Sequence, residues 1–117
     1  MAKSMTVDDV RQFLLSLPEV QEGAAYGAPA FRVRGKQLAG LKPQEGVIGL
    51  RVGFDERDLL MEMAPKAFYV TDHYRSYPAV LVRIAEVDPH MLRQLIVQRW
   101  REIAPKALVK AFDAQNG

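Results

Sequence analysis

Val47-Ile-Gly-Leu-Arg-Val-Gly-Phe54 alternates without a break, with Ile48, Leu50, Val52 and Phe54 on one face and Gly49, Arg51 and Gly53 on the other. A strict period of two describes a half-buried strand, and one apolar face against one wet face is the habit of antiparallel sheets. Just upstream, Pro43-Gln-Glu-Gly46 has the Pro and Gly positions of a type I turn. Further upstream, Pro29–Lys36 sets Phe31 and Val33 between Arg32, Arg34 and Lys36; Gly35-Lys36 reads as a tight turn, and Leu38–Leu41 pairs back. Connections this short make consecutive strands antiparallel neighbours.

Helical signals flank this meander. Thr6 and Asp9 resemble a capping box, followed by Val10, Phe13, Leu14 and Leu17 at helical spacing up to Pro18, so a first helix is expected over 7–16. Residues 18–27 carry two glycines and no clear period, and read as a connecting loop. Asp55 is expected to cap a second helix containing Leu59, Leu60 and Met63, stopped before Pro65. Two strands follow, near Phe68–Thr71 and over Ala79–Ile84. Asp88-Pro89 then opens a third helix with Leu92, Leu95, Ile96, Trp100 and Ile103 as its stripe. Pro105 restarts the chain as a helical extension with Leu108 and Phe112 inside and Lys106 and Lys110 outside. The order α-β-β-β-α-β-β-α plus a C-terminal helical extension predicts an α+β two-layer sandwich over 1–117. It has a five-stranded antiparallel sheet with helices on one face. Its expected core includes Phe13, Leu14, Phe31, Val33, Ile48, Leu50, Val52, Leu60, Val80, Val82, Leu95, Ile96 and Trp100.

With 117 residues, 49% of them hydrophobic and 26% charged, the chain has the composition of one ordinary globular domain. No apolar run approaches the ~20 residues of a membrane span, and the start Met-Ala-Lys-Ser-Met-Thr-Val-Asp-Asp has no apolar core of a secretory signal. Cysteine is absent, which removes disulfides, thiol catalysis and zinc–cysteine sites; a cytoplasmic protein is expected. The net charge of +2 hides a segregation. Residues 1–22 carry −2, residues 23–53 carry +4 and residues 54–65 carry −3. Strands are basic and helices acidic, a hint of a polyanionic partner.

The stretch Phe68-Tyr-Val-Thr-Asp-His-Tyr-Arg-Ser-Tyr-Pro78 crowds Tyr69, Tyr74, Tyr77, His73 and Arg75 into a turn. Gly, Asn, Asp and Ser usually fill such a place, whereas loops that bind on a rigid scaffold look like this one. The same rings could instead cap the end of the core with their hydroxyls wet. His73 beside Asp72 is the residue that proton-transfer chemistry would choose, yet sequence neighbours in a turn commonly point apart. No nucleophile elbow or phosphate loop accompanies it. His90 is the only other histidine, and no ligand spacing links the two, so neither a metal nor a cofactor is expected.

Three motifs now act together: Tyr26-Gly-Ala-Pro-Ala-Phe-Arg-Val-Arg-Gly-Lys36, Asp72-His73-Tyr74, and Trp100 followed by Ala104-Pro105-Lys106. In order and spacing they resemble the MmcQ/YjbR family, from the first helix to Leu108. The resemblance implies small cytoplasmic bacterial proteins with a two-layer α+β fold similar to CyaY-like domains and secretion chaperones, and a DNA-binding label. Members often carry a Trp just after the His-Tyr pair; here Tyr77-Pro78 stand instead.

The expectation is therefore a non-enzymatic binding module of low sequence specificity for DNA or another nucleic acid. Arg32, Arg34, Lys36, Arg51, Arg75 and Arg83 would meet phosphates. Tyr74 and Tyr77 would stack on bases, and His73 would donate a hydrogen bond. The alternatives are a protein-interaction or chaperone-like module, with a protein partner or a homodimer, and less favourably a small-molecule enzyme using His73. No membrane partner is expected.

Overall fold

The Thr6 hydroxyl accepts from the Asp9 N–H at 3.0 Å and the Asp9 carboxylate accepts from the Thr6 N–H at 2.9 Å. The chain thus enters α1 (Val7–Ser16) through the capping box that its sequence contains. The computed structural model describes residues 4–116. It continues through β1 (Val20–Ala25), β2 (Ala28–Val33), β3 (Lys36–Lys42), β4 (Val47–Arg51), α2 (Phe54–Met63), β5 (Phe68–Tyr69) and a 3-10 turn (Asp72–Tyr74). It closes with β6 (Ala79–Arg83), α3 (Pro89–Ile103) and α4 (Lys106–Asn116). The sheet has the order β1-β2-β3-β4-β6-β5, and each neighbouring pair is antiparallel. The two-layer α+β architecture is the expected one, with six strands in place of five.

The additional strand is β1, within the stretch expected to be a loop. Its residues Gln21 to Ala24 are all exposed, so it has no buried side to write a period into the sequence. The backbone ladder to β2 and a two-residue turn, Tyr26-Gly27, hold it instead. Both turn residues have positive φ (53° and 79°), as the type I′ turn requires to match strand twist. The β2–β3 turn is of the same kind and lies at Arg34-Gly35 (φ 51° and 81°), one residue earlier than expected. That shift takes Arg34 off the strand.

The inner face is written in register. Phe31, Ala39, Leu50 and Val80 form one row across four strands, and Leu41, Ile48, Val82 and Phe68 form the next. Val10 and Leu14 of α1 and Leu92, Leu95, Ile96 and Trp100 of α3 complete the core. Phe13, expected inside, packs against it half-buried. The Trp100 indole is fully buried and donates its N–H to the Pro18 carbonyl at 3.0 Å, while its ring meets Phe112 of α4 at 4.8 Å.

One expectation for α2 is corrected. Gly53, not Asp55, is its N-cap, and no side chain caps it; Asp55 lies in the first turn, where a negative charge suits the helix dipole. Its buried residues are Arg57 and Leu60, whereas Leu59 and Met63 are 55% and 63% exposed. No helix of the described residues is long and apolar enough to cross a membrane.

Leu50 is 2% exposed at the centre of the sheet, so Leu50→Ala should cost about 2–5 kcal/mol. Leu59→Ala on the open side of α2 should change stability by less than ~0.5 kcal/mol. Urea midpoints of the two variants check the facing of both elements, and equal losses would refute it.

Candidate functional site

The same register fixes the outer face of the sheet. Gly23, Ala30, Gly40, Gly49 and Leu81 succeed one another across β1, β2, β3, β4 and β6, ending at Tyr69 of β5. Four of these are Gly or Ala, so the row makes a low floor. Arg32 and Arg51 rise on one side of it, one step along their strands; Lys42 and Arg83 rise on the other. The banks lie about 13 Å apart, four residues at ~3.3 Å each. The Arg32 guanidinium leans over Gly23, its Nη1 3.4 Å from where a side chain there would begin.

None of the strand residues on this face is acidic. Glu22 is the only acidic residue within the strands, and it lies opposite Phe31, on the helix side. Arg11 of α1 meets it there at 2.8 Å. Arg32, Lys42, Arg51 and Arg83 are ion-paired to no described residue. Unpaired cations on strands that present no outward carboxylate sum to a positive field.

The aromatic turn lies over part of this surface. β4 and β6 separate β3 from the turn, yet the Tyr74 ring reaches Lys42, whose Nζ is 5.3 Å from its centroid. The turn therefore crosses the outer face. Arg57 holds its far side. It is the one buried charged residue among those described, and its Nη1 donates to the Arg75 and Tyr77 carbonyls, each at 3.0 Å. Its guanidinium lies 4.9 Å from the Phe54 ring, and its Nε reaches the Asp58 carboxylate at 3.4 Å.

A family model described as YjbR matches residues 15–102. The chain belongs to the YjbR family. Uncharacterised proteins of Mycobacterium tuberculosis and Mycobacterium bovis are each 36% identical to it over 131 aligned residues, covering 96% of this chain and 98% of theirs. The crystal structure of Deinococcus radiodurans protein DR2400, family-model domain DUF419, matches with a TM-score of 0.75 at 19% identity. That match covers 89% of this chain and 82% of the other. The fold is thus shared at an identity too low to carry more than the fold.

On this YjbR scaffold the expected site residues divide. Arg32, Arg51 and Arg83 share the outer face as alternation requires, and Lys36 opens β3 beside the hairpin turn. Arg34 does not join them. From its turn it donates Nε to Glu19 Oε1 at 2.8 Å and Nη2 to Oε2 at 3.2 Å, clipping the open end of the β1–β2 hairpin. That bond is the main cause holding the Glu19 carboxyl below its ordinary value. Arg83 stacks on Tyr69 at 4.0 Å and donates to the Lys66 carbonyl at 2.9 Å. Arg75 pairs with the Asp72 carboxylate at 3.2 Å, so Asp72 faces Arg75 and does not orient His73. The His73 ring meets Tyr74 edge-on at 5.0 Å and lies 6.2 Å from Tyr77. Tyr74 is half-covered, with Lys42 near its ring, whereas Tyr77 is 53% exposed. Among the described residues no three His, Asp or Glu side chains are placed to hold a metal ion.

Arg57 was not among the expected residues. The signal was its place three residues before Leu60 on the buried stripe, where a charge demands partners. Arg57→Ala removes a charged donor from two carbonyls, a loss of about 1.5–3 kcal/mol per bond, and should speed hydrogen exchange over residues 72–78. Arg57→Lys should recover only part of the protection, because an ammonium lacks the planar fork. Unchanged exchange in Arg57→Ala would show that the clamp does not hold the turn.

Proposed function

We propose that this YjbR-family protein is a non-enzymatic module that binds single-stranded nucleic acid with low sequence specificity on the outer face of its sheet. The observation that carries the reading is that the outward strand residues include no carboxylate, while Arg32, Lys42, Arg51 and Arg83 flank a floor of Gly and Ala. Phosphates spaced along a flexible strand can reach both banks, and backbone contacts of this kind dominate affinity without reading sequence. Ala30 and Leu81 are already covered, at 2% and 3% exposure, so a strand would approach the sheet at the half-buried Gly40 and Gly49. Tyr77, open at the rim, offers a stacking surface; Tyr74 is engaged by Lys42 and His73 and positions the turn instead. No helix projects from this face to enter a ~12 Å major groove, which favours single strands over base readout in a duplex.

A protein-interaction role is the second reading, favoured by Leu59 and Met63, exposed one turn apart on α2. An enzymatic role for His73 has the least support, since its ring meets those of Tyr74 and Tyr77 and Asp72 is turned to Arg75.

A salt titration of binding to an oligothymidine and to a duplex of equal length tests the proposal. The logarithm of the affinity should fall linearly with log salt, and the duplex should bind more weakly at every salt. Replacing Arg32 and Arg51 together by Ala should shallow the single-strand slope by about 1.4, some 0.7 per lost phosphate contact. Arg34→Ala, which removes a cation already paired with Glu19, should leave the slope nearly unchanged. No binding at low salt, or a double variant identical to wild type, overturns the reading.

A further inference from the structure

β1 is the long edge of the sheet, and it lacks the devices that keep edges apart. Val20–Ala25 contains no Pro and no Lys, and no bulge interrupts its pairing with β2. Gln21, Glu22, Gly23 and Ala24 are all exposed. Its single charge, Glu22, is turned to the helix side and paired with Arg11 at 2.8 Å.

The Tyr26-Gly27 turn determines which backbone groups of this edge are free. In a two-residue hairpin the closing pair, here Ala25–Ala28, exchanges hydrogen bonds. Bonded and non-bonded pairs then alternate, so Gly23–Ala30 and Gln21–Arg32 are bonded too. Val20, Glu22 and Ala24 therefore turn their N–H and C=O groups away from β2; the Val20 N–H already donates to the Leu17 carbonyl at 3.3 Å, so Glu22 and Ala24 are the residues with both groups open.

We propose that these groups pair with the same groups of a second copy, antiparallel, about a two-fold axis at Gly23. Bonds form only where an outward-turned residue faces another; registers centred on Val20 or Gln21 would need the Val20 N–H that the Leu17 carbonyl already takes, which leaves three. Centring on Glu22 sets that carboxylate against its own copy. Centring on Ala24 slides the strands apart and leaves Val20 and Gln21 facing solvent or a turn. Centring on Gly23 sets Glu22 against Ala24 of the second copy twice over, with no like charges opposed and both pairs exchanging N–H···O bonds. Gly23 then meets its copy in a non-bonded pair, where Cα atoms approach to ~4.5 Å and side chains stand closest. A residue without a side chain fits that position. The two outer faces become one, and their Gly–Ala floors run on through the axis. The pairing rests on backbone geometry and does not depend on what the face binds.

Sedimentation velocity at micromolar and near-millimolar concentration should show a species of twice the 13.2 kDa chain mass at the higher one. Ala24→Pro deletes an outward N–H while leaving the β1–β2 ladder intact. It should abolish the heavier species with no change in circular dichroism. Because the chain has no cysteine, Gly23→Cys provides a single thiol at the axis, and mild oxidation should link two copies within the Cα span a disulfide accepts. Gln21→Cys, whose copies lie ~13 Å apart in this register, should not link. A monomer at the higher concentration, a dimer indifferent to Ala24→Pro, or equal linking through both thiols overturns the proposal.

Discussion

A fully buried indole must find an acceptor for its one N–H, and for Trp100 that acceptor is the carbonyl of Pro18. Pro18 sits where α1 has ended and β1 has not begun, 82 residues away along the chain. The bond joins α3 to the junction that launches the edge strand, and the other side of the ring receives Phe112 from α4. One side chain thus fixes three helices and one end of the sheet relative to one another. Were the acceptor lost, an unpaired polar group would remain in a core that has no water to offer.

The inner face closes around this point, which leaves the outer face to be decided by what it lacks. Its strands present no outward carboxylate and little side-chain bulk along the floor; Lys42 and Arg83 are restrained by aromatic rings, and Arg83 also by the Lys66 carbonyl. Lys42 at Tyr74 and Arg83 at Tyr69 keep their charge while losing freedom, since a ring attracts a cation without neutralising it. This differs from Arg34 and Arg75, whose carboxylate partners cancel them. The face is therefore selective about which positive charges it leaves available. Arg57 is the exception, a charge placed inside to serve two carbonyls of the turn.

Much of this was legible in the sequence because buried alternation leaves a mark. Ile48, Leu50, Val80 and Val82 declare their strands, and Thr6, Asp9, Asp88 and Pro89 declare two helix starts. β1 was not legible, because an edge strand exposed on both faces has no period and its turn carries Tyr26 where Asn or Asp would have advertised it. The partnership of Arg34 with Glu19 was hidden by the same turn chemistry: placing the reversal one residue late keeps Arg34 on the strand with Arg32. α2 misled because Leu59 and Met63 are hydrophobic yet exposed, while the arginine between Phe54 and Leu60 is buried. The outer cations were correctly grouped where the strand pattern was regular, at Arg32, Arg51 and Arg83.

The connectivity divides the molecule in time as well as in space. β1 to β4 form an uninterrupted meander whose contacts are close in sequence, and such contacts are the cheapest for a chain to close. β6 joins β4 only after α2, β5 and the aromatic turn have been traversed, so the loop bearing His73, Tyr74 and Tyr77 belongs to the late-closing part. The meander and the turn that crosses its outer face are thus held by different contacts, the meander by its own ladders and the turn by the Arg57 bonds to Arg75 and Tyr77.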